Sequence, residues 1–163
     1  MTAVLRRPAV EPPDPDTLAV RAVLLASEER EIPKAATDLA ARIAKRSGAP
    51  VHVFTVVRIW GTSLGFPSPG LMPSKREWDQ GRAVVDQAIK QLRKRGVDAD
   101  GRVLATRSGA KRIVKEAQRL GCDAIVMGAD SPRSWVIRDF MWSQEPYRVK
   151  RRADLPVYLV VDS

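Results

Sequence analysis

Residues 105–128 read ATRSGAKRIVKEAQRLGCDAIVMG. Ile113, Val114, Ala117 and Leu120 share one helical face, Ser108 stands where an N-cap is wanted, and Gly121 ends the pattern. Ala124–Met127 follows at once, apolar throughout. A strand with no polar position suits a parallel sheet covered on both faces. A helix that runs through a short turn into such a strand predicts an α/β fold.

The same alternation extends in both directions. Upstream, Val20–Ala26 predicts a first strand, broken by the polar cluster Ser27–Glu31. A helix follows, with Ile32, Ala36, Leu39 and Ile43 on its buried face, Pro33 in its first turn and Gly48 at its end. Val51–Val57 predicts the second strand, and the Gly- and Pro-punctuated stretch 61–74 a loop. A second helix is expected from Ser74 to Arg95 with Trp78, Val85, Ala88, Ile89 and Leu92 buried, then a third strand over Asp98–Thr106. Downstream of the quoted stretch, a loop leads to a helix from about Gln144, and Pro156 introduces a last strand, Val157–Val161. The order βαβαβαβαβ predicts one doubly wound, open, five-stranded parallel sheet with helices on both faces. Asp98, Asp100 and Arg102 at alternate positions suit an exposed edge for the third strand, and the last strand is read as the other edge.

Composition narrows the function classes. The chain has 163 residues, one cysteine and one histidine. Cys122 alone excludes an internal disulfide framework and a thiolate-cluster zinc site, and His52 without a second histidine weakens His-based metal or catalytic readings. No apolar signal core follows Arg6 and Arg7, and no run is long enough to span a bilayer, so a cytoplasmic protein is expected. Residues 1–18 are read as a flexible arm and 19–163 as the domain. The formal charge is +9, which admits an acidic partner without naming one. Residues 75–119 carry thirteen lysines and arginines against six acids.

Sheets of this kind bind ligands beyond the carboxyl ends of their strands. The loop after the first strand reads Ser27-Glu28-Glu29-Arg30-Glu31, without the glycines of a dinucleotide fingerprint, and no Walker loop occurs. Thr106-Arg107-Ser108 lacks the aspartate of a phosphate-accepting receiver. One resemblance is specific. Ser108-Gly109-Ala110, the helix ending in Leu120-Gly121, the Asp123-led strand and its Met127-Gly128 resemble the universal stress protein family. The tail from Val149 to Val161, with Leu155-Pro156-Val157, is similar to the family's closing helix and strand. The resemblance spans about residues 19–162. It implies strand order 3-2-1-4-5 and homodimerisation through Val157–Val161.

The family's nucleotide-binding members share an Asp after the first strand and G-x-x-G-(nine residues)-G-[ST] after the fourth. Glycines there let backbone amides close on phosphate, and a hydroxyl with a helix N-terminus completes the anion site. In this chain Ser27 takes the Asp position, Gly128 keeps the first glycine, and Ser131 replaces the second. The final pair falls on Met141-Trp142 or Ser143-Gln144, according to the direction of counting. Pro132 removes an amide donor, and Trp135, Phe140, Met141 and Trp142 are expected to crowd the space that glycines keep open. Glu28 and Glu29 repel a polyphosphate from the other loop.

The expectation is a non-enzymatic, homodimeric stress-response protein with no catalytic residue, no metal and no cofactor, acting through protein contacts. Two alternatives stand beside it. An ATP- or AMP-binding member, with Mg and a slow ATPase activity, would use Ser27, Val56 or Val57 at the adenine, then Gly128, Ser131 and Ser143, with Arg133 or Arg138 on phosphate. A basic-surface protein would bind nucleic acid or an anionic membrane through residues 90–119, although no nucleic-acid-binding motif is present. His52 and Cys122 are read as structural, and the aromatics after Gly128 as packing over the strand ends.

Overall fold

The computed structural model describes residues 11–59, 72–129 and 145–161. Five strands, β1 (Val23–Glu28), β2 (Val51–Arg58), β3 (Ala99–Thr106), β4 (Ala124–Ala129) and β5 (Val157–Val161), alternate with α1 (Lys34–Ser47), α2 (Lys75–Lys94), α3 (Gly109–Arg119) and α4 (Glu145–Arg152). They form one parallel sheet in the order β3-β2-β1-β4-β5. The expected topology and both edge strands are therefore present.

Two cores follow from the strand period of two. Val23 and Leu25 of β1, with Val51 and Val53 of β2, pack beneath α1 and α2. Leu24 and Ala26, with Phe54 and Val56, face α3 and its Ala110, Ile113 and Ala117, and Val149 of α4 joins them. Right-handed crossovers explain the division: the chain steps outward from β1 to β3 over one face, then returns through α3 to β4 over the other.

Several local expectations shift. β1 starts at Val23 and runs to Glu28, two residues beyond the expected end. The carboxylate of Glu28 is buried and meets Arg58 Nε at 3.2 Å, so a neighbouring strand neutralises a charge that reads as a strand breaker. On α1, Leu39 is half-buried and the contact face is Ala36, Ala40, Ile43 and Ala44. Small residues allow close approach of helix to sheet, so the hydrophobic pattern alone misplaces that face by one position. Trp78 is half-buried, and Gly81 joins Val85, Ala88 and Leu92 in the buried stripe of α2. Ser74 and Glu77 form a capping box at its start. Ser108 occupies the N-cap of α3 but its hydroxyl makes no cap bond; its N–H donates instead to Thr106 Oγ1 at 3.1 Å.

The second half of the expected arm is docked. Pro15–Thr17 form a 3-10 turn, Arg42 of α1 pairs with Asp16 at 3.0 Å, and Tyr158 of β5 donates to the Pro13 carbonyl at 2.7 Å. Residues 1–10 lie outside the described residues, as do 60–71 and 130–144. Cys122 is buried between α3 and β4, and burial pushes its thiol up to about 12. No helix among the described residues is long and apolar enough to cross a membrane.

On the edge strand β3, Gly101 permits close packing. A Cβ there would lie 2.6 Å from Val85 Cγ1 and 2.7 Å from the Val53 carbonyl oxygen, so any side chain would push α2 off the sheet. On the opposite face Glu116 of α3 is 2% exposed. Arg102 of β3 reaches its two oxygens at 2.9 and 2.7 Å, and Arg119 does so at 3.2 and 2.7 Å. Burial by itself raises the Glu116 pKa, but the hydrogen bonds from Arg119 and Arg102 outweigh it and hold the carboxyl below its ordinary value. The stability it contributes is present above its unfolded pKa and lost as pH falls through the lower folded value. Glu116→Gln should therefore lower unfolding free energy at neutral pH by about 1–3 kcal/mol, because both arginines keep solvent contact when the charge is removed. In urea titrations the gap from the parent protein should close as pH drops into the carboxylate range.

Candidate functional site

β1 and β2 end side by side, and the residues of interest project from those ends. Ser27 and Thr55 are cross-strand partners, and both are buried. Their hydroxyl oxygens lie 3.1 Å apart, and Ser27 Oγ donates to the Arg30 carbonyl at 3.1 Å. The Ser27 hydroxyl thus ties β1 to β2 and to the turn that follows. Glu28 belongs to the strand, and strand alternation sends its side chain to the opposite face from Ser27. It does not stand in a loop facing a phosphate.

Glu29 takes a positive φ of 49°, the single non-glycine among the described residues to do so. Its N–H donates to the Val56 carbonyl at 3.1 Å, and its carboxylate accepts the Arg58 N–H. That strained residue sets the rim of a cavity of about 770 Å³ between α1, α2 and the ends of β1 and β2. The floor is Thr55, Val57, Gly81 and Ala88; Ile32 and Thr37 close the α1 side; Gln80, Val84, Gln87 and Gln91 line the α2 side. Glu29, Glu31 and Glu77 also border it, and no lysine or arginine does among the described residues. Burial and the like charge of Glu77 raise the Glu29 pKa, against the lowering effect of the Arg58 N–H.

The structure describes some of the residues expected to touch a nucleotide. Val57 lines the cavity, while Val56 points into the core beneath α3 and its carbonyl is taken by Glu29. Gly128 lies on β4, where a Cβ would meet Pro33 Cδ and Cγ at 2.6 and 2.7 Å. The proline that opens α1 covers that position. Ser131 and Ser143, with Arg133, Arg138, Trp135, Phe140, Met141 and Trp142, lie outside the described residues. His52, read as structural, has its Nδ1 2.6 Å from Asp100 Oδ1.

Sequence reading missed the α2 wall. The signal was available: at 100° per residue, Glu77, Gln80, Val84, Gln87 and Gln91 cluster on one side of α2, and Lys75, Arg82 and Arg93 fall opposite. The expected basic surface over residues 90–119 is also divided. Lys90, Arg93 and Lys94 sit on α2 and Lys111, Lys115 and Arg119 on α3, on opposite faces of the sheet.

Residues 19–161 match the model of the universal stress protein family. Solved structures of that family share the fold. A universal stress protein from Archaeoglobus fulgidus is 18% identical with a TM-score of 0.65, the match covering 85% of this chain and 92% of that one. A universal stress protein solved in complex with cAMP is 19% identical with a TM-score of 0.64 over 90% and 100% of the two chains. One from Archaeoglobus fulgidus solved in complex with dAMP is 18% identical with a TM-score of 0.62 over 85% and 96%. No curated protein matches the chain in sequence.

The raised Glu29 pKa has a definite sign. The folded state holds this proton more tightly than the unfolded chain, so ionisation weakens the fold as pH rises above the ordinary glutamate value. Glu29→Gln keeps an oxygen for the Arg58 N–H and removes the charge. Its unfolding free energy from urea titration should exceed that of the parent at pH 7, by at most about 1 kcal/mol for a half-buried, solvent-screened group. The two should converge in acid.

Proposed function

The chain belongs to the universal stress protein family, and on that premise we propose a non-enzymatic, homodimeric regulatory protein that acts through protein contacts and does not hold ATP tightly. The observation that carries this reading is the packing at Gly128. In a phosphate loop a glycine leaves room for a ligand to approach the backbone. Here the Pro33 ring takes that room, and Ser27, at the position of the family's aspartate, spends its hydroxyl on the Arg30 carbonyl. The acids at the neighbouring cavity add an unfavourable field for a polyphosphate.

Support for the dimer comes from β5. It is an edge strand, and its terminal Val161 is 43% exposed, which leaves both backbone groups and an apolar side chain for a second copy. A second reading, adenine-nucleotide binding in a remodelled site, is favoured by the relatives solved with cAMP and dAMP. It would draw on Ser27, Val57 and Gly128 with Ser131 and Ser143.

A thermal-unfolding titration with Mg-ATP separates the two readings. The expected result is no shift at millimolar nucleotide. A saturable rise, which reaches about 2.7 kcal/mol at one hundred times Kd, would establish the nucleotide reading. Sedimentation should find a dimer at micromolar concentration, and Val161→Lys should shift it toward monomer with an unchanged circular-dichroism spectrum. A monomeric parent protein would sink the dimer proposal.

A further inference from the structure

The cavity between α1 and α2 is at odds with the chain that builds it. The protein carries 28 lysines and arginines, and none lines this space among the described residues. Three carboxylates from two segments do: Glu29 and Glu31 in the turn between β1 and α1, and Glu77 in the first turn of α2. The α2 wall adds the acceptor oxygens of Gln80, Gln87 and Gln91 above the floor of Thr55, Val57, Gly81 and Ala88. A volume of about 770 Å³ falls within the ordinary range for small-molecule sites.

The arrangement of charge selects the ligand class. No group of three acidic, histidine or cysteine side chains among the described residues is close enough to hold a metal ion. The negative charge is spread along the wall and rim rather than gathered at a point. Such a lining matches an extended cation with several N–H donors and an aliphatic body that can rest on Val57 and Ala88. It disfavours any anion. We propose that this cavity binds an aliphatic polyamine, held by Glu29, Glu31 and Glu77 with the α2 glutamines as further acceptors. Val57 serves both this proposal and the nucleotide reading: nucleotide bound there would displace the amine, whereas a failed Mg-ATP titration leaves the amine test unaffected.

The probes are putrescine and spermidine, with the uncharged 1,4-butanediol as the shape control. Isothermal titration and thermal unfolding of the full-length protein should show saturable binding of the amines, tighter for spermidine, and none of the diol. Glu29→Gln, Glu31→Gln and Glu77→Gln should each weaken binding by about three- to tenfold, as expected for partly solvated ion pairs. Glutamine still serves a capping box, so the Glu77 variant should keep its helix start. Gln87→Lys changes an exposed helix position, retains the fold and should abolish binding by repulsion. Arg82→Gln, on the far side of α2, should leave the affinity unchanged. Absence of amine binding at millimolar concentration would overturn the proposal. So would an affinity indifferent to Gln87→Lys, or Mg2+ binding at the same carboxylates more tightly than spermidine.

Discussion

Val23 through Ala26 of β1 have no exposed surface at all. A strand buried on both faces requires helices above and below it, and it requires paired strands on either side so that every peptide group finds a partner. With β2 and β4 as those neighbours, β1 becomes the centre of the sheet and the place where strand order reverses. The candidate site lies near the end of this strand. Ser27 and Glu28 are its last residues and Glu29 is the first beyond it. The strand therefore decides which side chains face α2 and which face α3, before any ligand chemistry arises.

The strand ends show how a shared fold can carry a different surface. The glycine at 128 is retained, yet a proline ring from the next layer rests against it. The serine at 27 is polar, yet its hydrogen bonds are internal. What is open instead is the space between α1 and α2, and its lining has the opposite sign to the molecule's net charge. Two hydroxyls, a strained glutamate and one helix with a divided surface produce that contrast. Fold likeness alone does not reveal it, since a fold constrains the strand ends and leaves the helix walls to vary.

Much of the architecture was legible because it depends on local pattern. The polar alternation of Asp98, Asp100 and Arg102 marks an edge, and the apolar runs of β1, β2 and β4 mark the interior. What failed was non-local. Glu28 extends β1 because Arg58, thirty positions away, neutralises it. Leu39 looks like core and is half-buried, because α1 presents alanines to the sheet. Ser108 has the right identity for a cap, but the backbone gives its hydroxyl no donor to accept from. The candidate site was the least legible part. Its walls come from α1, α2 and two strand ends, which meet only in three dimensions. The total charge misled as well, because it sums two basic helices that face away from each other.

Cys122 gives the molecule a built-in reporter. It is the only thiol in the chain, it is buried where α3 passes into β4, and its proton is held far above neutral pH. Thiolate is the reactive form, so an alkylating reagent meets almost none of it in the closed state. Labelling must wait for the α3–β4 junction to open and the thiol to regain water. The rate of modification under native conditions thus counts openings of that one joint, at the centre of the fold, without a dye, a tag or an engineered cysteine.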